Sequence, residues 1–235
     1  MSTAFPRPLT SVDLVIFSAD QGQLRVLLVQ RARAEDEPFP GVWALPGGFV
    51  DTAKDTELEA CAKRKLHEKT GIEAAYLEQL GSWGSATRDP RGWSATHVYF
   101  ALMSADHLSL RIGGNTADTR WAPIDGNRVK DKLAFDHGEI LKAAITRLRG
   151  KVEYTSLPAF LMSKEFTLTE LQNIYQTLLD RPIEKKAFRT RVLSSDLLEA
   201  LDRYKEGPNR PAQLFRIRNR KHPTFFPRAL VAKAE

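Results

Sequence analysis

Residues 39–72 read FPGVWALPGGFVDTAKDTELEACAKRKLHEKTGI, and the order of signals within them decides how the first half of the chain folds. A short apolar run at 42–45 leads into Pro46-Gly47-Gly48, where two adjacent glycines let the backbone turn sharply and come close to a ligand. A polar loop follows. Thr56-Glu57-Leu58-Glu59 then reads as a capping box, with Thr56 as N-cap, and Gly71 supplies the C-terminal stop of a helix. Leu58, Ala62 and Leu66 recur every four residues and face a core, while Lys65, Glu68 and Lys69 share another face. A glycine turn feeding a helix presents backbone N–H groups and helix side chains to a diphosphate.

On the N-terminal side, residues 12–18 and 24–31 are apolar, β-branched runs separated by a turn at 19–23, and they read as paired strands. On the C-terminal side an apolar strand is expected near 96–102. It is preceded by Arg88-Asp89-Pro90-Arg91-Gly92, a compact turn presenting two guanidiniums suited to phosphate or ribose. Residues 136–149 read as a helix, with Ile140, Leu141, Ala144, Ile145 and Leu148 at helical spacing and Gly150 as its end.

Composition narrows the class. Among 235 residues no apolar run approaches the roughly 18–20 needed to span a bilayer, and the N-terminal residues lack a signal-peptide layout, so a cytoplasmic protein is expected. The single cysteine, Cys61, excludes an intramolecular disulfide and a cysteine-cluster metal site. Charge is unevenly placed: residues 1–150 carry 19 Lys+Arg and 19 Asp+Glu, whereas residues 151–235 carry 16 and 10. A neutral first domain (1–150) and a basic second one (151–235) point to an anionic polymer as the second domain's partner.

Gly47-Gly48-Phe49-Val50, then Arg64, Leu66, Glu68, Thr70 and Gly71, resembles the Nudix box. The resemblance implies an α/β/α sandwich with a mixed sheet, with Trp121-Ala122-Pro123-Ile124 in its closing strand and residues 133–141 entering its final helix. In that family an Arg-Glu pair, followed two residues later by a Glu-Glu pair, holds Mg²⁺. Here Arg64 and Glu68 are kept, but Lys65 and Lys69 stand at the other two carboxylate positions. The loop before the helix is about two residues longer than usual, and Lys54 stands where an acid is expected. Mg²⁺ wants hard oxygen ligands, and its loss removes the means of activating water, so no metal, no catalytic residue and little or no hydrolysis are expected. The lysines can still attract a diphosphate. The resemblance implies a ligand site of Arg31, Gly47, Gly48, Lys65, Glu68, Arg88, Asp89, Arg91 and Phe135. His137, taken by itself, reads as a packing or capping residue and not as a base.

In the second domain residues 157–162 are apolar, and Thr167-Leu168-Thr169-Glu170 is a capping box opening a helix at 168–179, with Leu171, Ile174, Tyr175 and Leu178 inward. Asp180-Arg181-Pro182 is a turn, and residues 184–193 form a second helix, with Ala187, Phe188 and Val192 inward and Lys185, Lys186, Arg189 and Thr190 on the other side. This is helix–turn–helix spacing with a cationic recognition helix. Two strands, at 197–201 and 213–219, then flank a Gly/Pro/Asn turn and make a wing. From Arg203 to Lys221 seven Lys/Arg face one acid, and Arg216, Arg218 and Arg220 alternate as if on one strand face. Thr169, Lys185, Lys186, Arg189, Thr190, Arg191, Arg210, Arg216, Arg218 and Arg220 are the expected DNA-binding residues.

The α+β chain as a whole, a degenerate Nudix domain before a winged helix-turn-helix, resembles the Nudix-related transcriptional regulators of NAD metabolism, the NrtR family. That resemblance implies a homodimeric repressor that binds double-stranded operator DNA of NAD biosynthesis or salvage genes. It needs no cofactor and is released by ADP-ribose or a related nucleotide. The alternative is an active Nudix hydrolase, an ADP-ribose pyrophosphatase with an accessory C-terminal domain.

Overall fold

The computed structural model describes residues 7–20, 22–71, 73–74, 76–104, 116–207, 210–220 and 222–226. Its first half is a mixed sheet between two helices. The strands are β1 (Leu9–Asp20), β2 (Gln23–Arg31), β3 (Trp43–Ala44), β4 (Gly47–Phe49), β5 (Tyr76–Ser85), β6 (Ser94–Leu102) and β7 (Thr116–Pro123). The main path runs β3-β2-β1-β6-β5, with β4 paired to β1 and β7 to β2. β1 and β6 are parallel and the other pairs are antiparallel.

β1 organises this layer because its two faces alternate with period two. Val12, Leu14 and Ile16 pack with Cys61, Ala62 and Leu66 of α1 (Leu58–Thr70). Val15 and Phe17 belong to the opposite core, with Ile140, Leu141, Ala144, Ile145 and Leu148 of α2 (His137–Val152). β1 also changes partner along its length. It pairs with β2 only from Phe17 to Asp20, and with β4 from Ser11 to Asp13, while β6 follows its other edge from Leu9 to Phe17. Where β2 leaves β1, a cleft opens beside Asp13.

The second half is a winged helix. A 3-10 turn (Leu157–Leu161) precedes β8 (Phe166–Thr167), α3 (Leu168–Leu179), α4 (Lys185–Leu193), β9 (Leu198–Lys205) and β10 (Ala212–Ile217). The three strands pair in the order β8-β10-β9. The capping box forms as expected: Thr167 Oγ1 accepts the Glu170 N–H at 3.2 Å, and a Glu170 carboxylate oxygen accepts the Thr167 N–H at 2.7 Å. Between α3 and α4, Gln172 donates to the Ile183 carbonyl at 3.0 Å and Gln176 Oε1 accepts the Ile183 N–H at 2.9 Å, which fixes the turn. Leu171, Tyr175, Leu178, Phe188, Val192, Phe215 and Ile217 continue the same core that lines the inner face of α2.

Local expectations change in three places. Thr56 does not cap α1: the N-cap is Glu57, without a side-chain cap, because the loop before it is tied by Asp55 instead. Gly150 does not end α2, which continues to Val152, so the division expected at 150/151 falls inside a helix. Leu148 and Val152, both buried and four residues apart, extend the apolar stripe past the glycine, and their burial outweighs its helix penalty of about 1 kcal/mol. Ala187 is exposed, leaving Phe188 and Val192 as the inward face of α4. Pro208, Asn209 and Lys221 of the expected wing, and Gln21 of the first turn, lie outside the described residues.

Gly47 is required by space. A Cβ there would sit 2.0 Å from Asp13 Oδ1 and 2.6 Å from the Val12 carbonyl oxygen. Gly47→Ala is expected to cost about 1–3 kcal/mol, the usual range for overpacking, read as a lowered thermal midpoint.

Candidate functional site

The cleft beside β1 is a cavity of about 370 Å³. All nine expected ligand residues line it: Arg31, Gly47, Gly48, Lys65, Glu68, Arg88, Asp89, Arg91 and Phe135. Asp13, Glu37, Phe49, Lys69 and His137 join them.

Each guanidinium is steered by a carboxylate. Arg31, at the end of β2, donates to the Pro38 carbonyl at 2.6 Å, pairs with Glu37, and lies 4.9 Å from the Phe135 ring centroid. Arg88 makes a two-pronged contact with Asp136, 2.9 Å on each prong, and its side chain is 6% exposed. Arg91 pairs with Asp89 at 2.8 and 3.0 Å and covers the Phe49 ring at 5.0 Å. The two-residue reach from Asp89 to Arg91 is a local turn property, which is why the Arg-Asp-Pro-Arg-Gly stretch was legible as a unit.

Sequence reasoning passed over Asp13. It is buried, and its Oδ2 lies 3.6 Å from His137 Nε2 and 3.8 Å from Arg88 Nη2. His137 Nδ1 accepts the Leu45 backbone N–H at 2.9 Å, so a neutral ring carries its proton on Nε2, toward Asp13. His137 thus fastens β1, the strand end at Leu45 and the start of α2 together. Burial pushes the Asp13 carboxyl up, but His137, Thr96 and Arg88 more than offset that and hold it below the ordinary carboxylate value.

Asp55 was also missed. Arg64 donates to both its carboxylate oxygens, Nε at 2.7 Å and Nη2 at 2.5 Å, and Nη1 reaches Glu68 at 2.8 Å. The acid expected at position 54 is thus supplied one residue later, and Arg64 holds the Asp55 carboxyl far below its usual range. On the next turns of α1, burial pulls the Lys69 ammonium down from its ordinary value, Glu68 pulls it up and Lys65 pulls it down again. For Glu68 burial acts upward, and Arg64 and Lys65 together hold it low.

At the other end of the molecule Lys185, Lys186, Arg189 and Thr190 are exposed on α4, and Thr169 is exposed in the first turn of α3. Glu184 caps α4 by accepting the Lys186 and Ala187 N–H groups at 2.8 and 2.6 Å. Arg210 is exposed beside the wing turn. Arg216, Arg218 and Arg220 do not share a strand face, because β10 ends at Ile217. Arg216 makes a two-pronged pair with Glu199, and Arg218 reaches Asp196 at 3.1 Å. Arg220 turns inward to the Ser163 carbonyl at 2.7 Å, and burial lowers its pKa. Arg191 likewise faces the protein, donating to the Glu153 carbonyl at 2.7 Å and covering the Phe226 ring at 4.7 Å. Arg220 is therefore a packing residue here, whereas charge spacing alone placed it on the outer surface; Arg191 is exposed, with its guanidinium turned to the Glu153 carbonyl and the Phe226 ring.

A NUDIX domain model matches residues 7–144, and a model described as the NrtR DNA-binding winged helix domain matches residues 158–217. The ADPR-responsive transcriptional repressor NtrR of Acinetobacter baylyi is 49% identical over 226 residues, spanning 96% of this chain and 88% of that protein. The chain belongs to the NrtR family. Its structure matches Shewanella oneidensis NrtR complexed with a 27mer DNA at a TM-score of 0.83, with 40% identity over 92% of this chain and 97% of the other. The NUDIX domain of Shewanella oneidensis NrtR complexed with ADP ribose matches at 0.56, with 42% identity over 63% of this chain and 93% of that domain.

Glu68 is flanked by Lys65 and Lys69, and among the described residues no three carboxylate, histidine or cysteine side chains converge as a ligand set. No helix among the described residues is long and apolar enough to cross a membrane.

The buried Asp13 makes stability depend on pH. Its folded-state pKa lies below the unfolded value near 3.9, so its contribution is present above that pH and is lost as pH falls through the lower, folded value. Thermal melting of wild type is expected to drop below about pH 4, and Asp13→Asn to show a shallower drop over the same window.

Proposed function

We propose that this protein is an ADP-ribose-responsive transcriptional repressor of NAD biosynthesis or salvage genes. The observation that carries the reading is the presence, in one chain, of a cation-lined Nudix pocket with lysines at two metal-ligand positions and a winged helix with exposed cations on its recognition helix. The identity with the Acinetobacter repressor, and the likeness to a family member complexed with DNA and to one domain complexed with ADP ribose, support it.

The pocket binds the diphosphate through Lys65, Lys69, Arg88 and Arg91, with backbone N–H groups at Gly47 and Gly48 approaching closely and Arg31 and Phe135 at the rim. The two ammonium groups do the charge neutralisation that Mg²⁺ performs in a Nudix hydrolase, so ligand is held and not cleaved. No cofactor is needed. Lys185, Lys186, Arg189 and Thr190 enter the major groove, and Thr169, Arg210, Arg216 and Arg218 contact the backbone nearby. Sensing rests in residues up to about 150 and DNA binding in the residues beyond. A homodimer, presenting two recognition helices about a two-fold axis, reads a pseudo-palindromic operator in the cytoplasm.

The deciding experiment is fluorescence anisotropy of labelled DNA from upstream of the host's NAD-synthesis genes, titrated with protein at fixed salt, with and without ADP-ribose. Sequence-dependent binding weakened by ADP-ribose, in EDTA as in Mg²⁺ and without release of AMP, is the expected result. Binding no better than to random DNA, or magnesium-dependent AMP release, overturns the reading in favour of the hydrolase. Arg189→Ala is expected to weaken operator binding by about 1–3 kcal/mol with ADP-ribose affinity unchanged, measured by anisotropy and calorimetry. ADP-ribose affinity is expected to fall as pH rises through the lowered Lys69 pKa, short of the ordinary lysine value near 10.4, and Lys69→Met to flatten that profile.

A further inference from the structure

α2 has one end in the pocket and the other on the winged helix. Three consecutive residues at its start are each clamped by a pocket residue. Phe135, in the left-handed region at φ 53°, lies 4.7 Å from Phe39 and 4.9 Å from the Arg31 guanidinium. Asp136, the N-cap, holds Arg88 on two prongs. His137 accepts the Leu45 N–H. None of these clamps is a helix cap of the usual kind, since Asp136 turns its carboxylate away from the helix N–H groups and toward Arg88.

At the other end of this 16-residue helix, Arg149 and the residues just past Val152 grip both helices of the helix–turn–helix. Arg149 donates to the Leu178 carbonyl of α3 at 3.1 Å. The Glu153 carbonyl accepts Arg191 of α4 at 2.7 Å, and the Glu153 carboxylate pairs with Arg181 in the turn between them at 3.1 Å. Tyr175 of α3 donates to the Thr155 carbonyl at 2.9 Å. A helix of this length spans about 24 Å as one hydrogen-bonded unit, long enough to carry a shift between the two sites.

We infer that Asp136 is the coupling residue of the effector response: it competes with the effector's diphosphate for Arg88, and α2 transmits the outcome to α3 and α4. This rests on the proposed ADP-ribose response and names the group that carries it. Arg88 has one planar fork, which fits a carboxylate or a phosphate two-pronged but not both at once. When the diphosphate takes the fork, Asp136 loses its partner and the start of α2 is freed to move. The state with Arg88 on Asp136 is the one that binds operator. Because each ligand favours a different partner for Arg88, their affinities are linked and reciprocal.

The test uses the full chain and measures operator affinity with and without saturating ADP-ribose, together with ADP-ribose affinity by calorimetry. Asp136→Asn is expected to bind ADP-ribose several-fold more tightly and operator more weakly, and to lose at least about fivefold of the release factor, at the low end of allosteric couplings. A residue that only stabilises the fold does not tighten effector binding, which is the readout that separates the two roles. Asp136→Glu, which keeps a carboxylate for Arg88, is expected to restore the response. At the far end, Arg149→Gln is expected to reduce the release factor while leaving ADP-ribose affinity within about threefold, since it touches only the output. If wild type itself ignores ADP-ribose, the proposed function fails. If wild type responds, and Asp136→Asn responds equally with unchanged ADP-ribose affinity, only the coupling role fails. Should Asp136→Asn not fold, full release by Arg149→Gln overturns the relay.

Discussion

β1 cannot pair with β2 and β4 over the same residues, and nearly every functional feature of the first half follows from how it divides itself between them. Its later residues pair with β2 and its earlier ones with β4, and the parting of the two neighbours opens the cleft at Asp13. A carboxylate buried at such a fork needs partners, because an unpaired buried charge is costly. His137 and Arg88 answer that need from elements distant in sequence. Gly47 is the counterpart of the same constraint, since any side chain there collides with Asp13 and the β1 backbone.

The electrostatics of the cleft are a set of paired arginines around less evenly balanced lysines. Arg31, Arg64, Arg88 and Arg91 each meet a carboxylate that orients the guanidinium. Lys65 pairs with Glu68 on α1, and burial pulls the neighbouring Lys69 ammonium below its ordinary value. Two lysines beside one glutamate give this helix face a net positive charge that attracts a phosphate, where a metal-binding helix of the same shape would repel one until its cation arrived. The winged helix balances its charge in a related way. Arg203, Lys205, Arg216 and Arg218 have acidic partners in or beside the wing, whereas Lys185, Lys186 and Arg189 stand exposed on α4.

Elements whose signals are local could be read from the chain directly. The strand pair β1–β2, the left-handed Gly71 stop, the Thr167–Glu170 capping box and the bounds of α3 depend on residues within a few positions of each other, whereas Gly47 and Gly48, read as a turn, are drawn into β4 by pairing with Asp13 and Val12 of β1. That Lys65 and Glu68 share a helix face followed from spacing, and that Arg88 and Arg91 are presented together followed from a single turn; their place in a ligand pocket came from the resemblance to the Nudix family. Misreadings arose where a distant contact overrode a local signal. Gly150 promised a stop, but Val152 has a core to fill. Thr56 promised a cap, but Asp55 is drawn to Arg64 nine residues away. Arg220 promised surface charge, but backbone carbonyls of another element satisfy it.

By itself, then, the sequence determined the order of elements, the placing of Lys65 and Lys69 beside Glu68 on one helix face, and the concentration of positive charge in the last third. Those are properties of composition and short spacing, and they survive any arrangement of the pieces. Only the tertiary structure decided that Asp13, His137 and Arg88 converge, that Asp136 faces Arg88 and not its own helix, and that α2 touches both the pocket and the helix–turn–helix. The reason is separation along the chain: Arg88 and Asp136 are 48 residues apart, and their meeting depends on how the two faces of one sheet are covered, which no local pattern encodes.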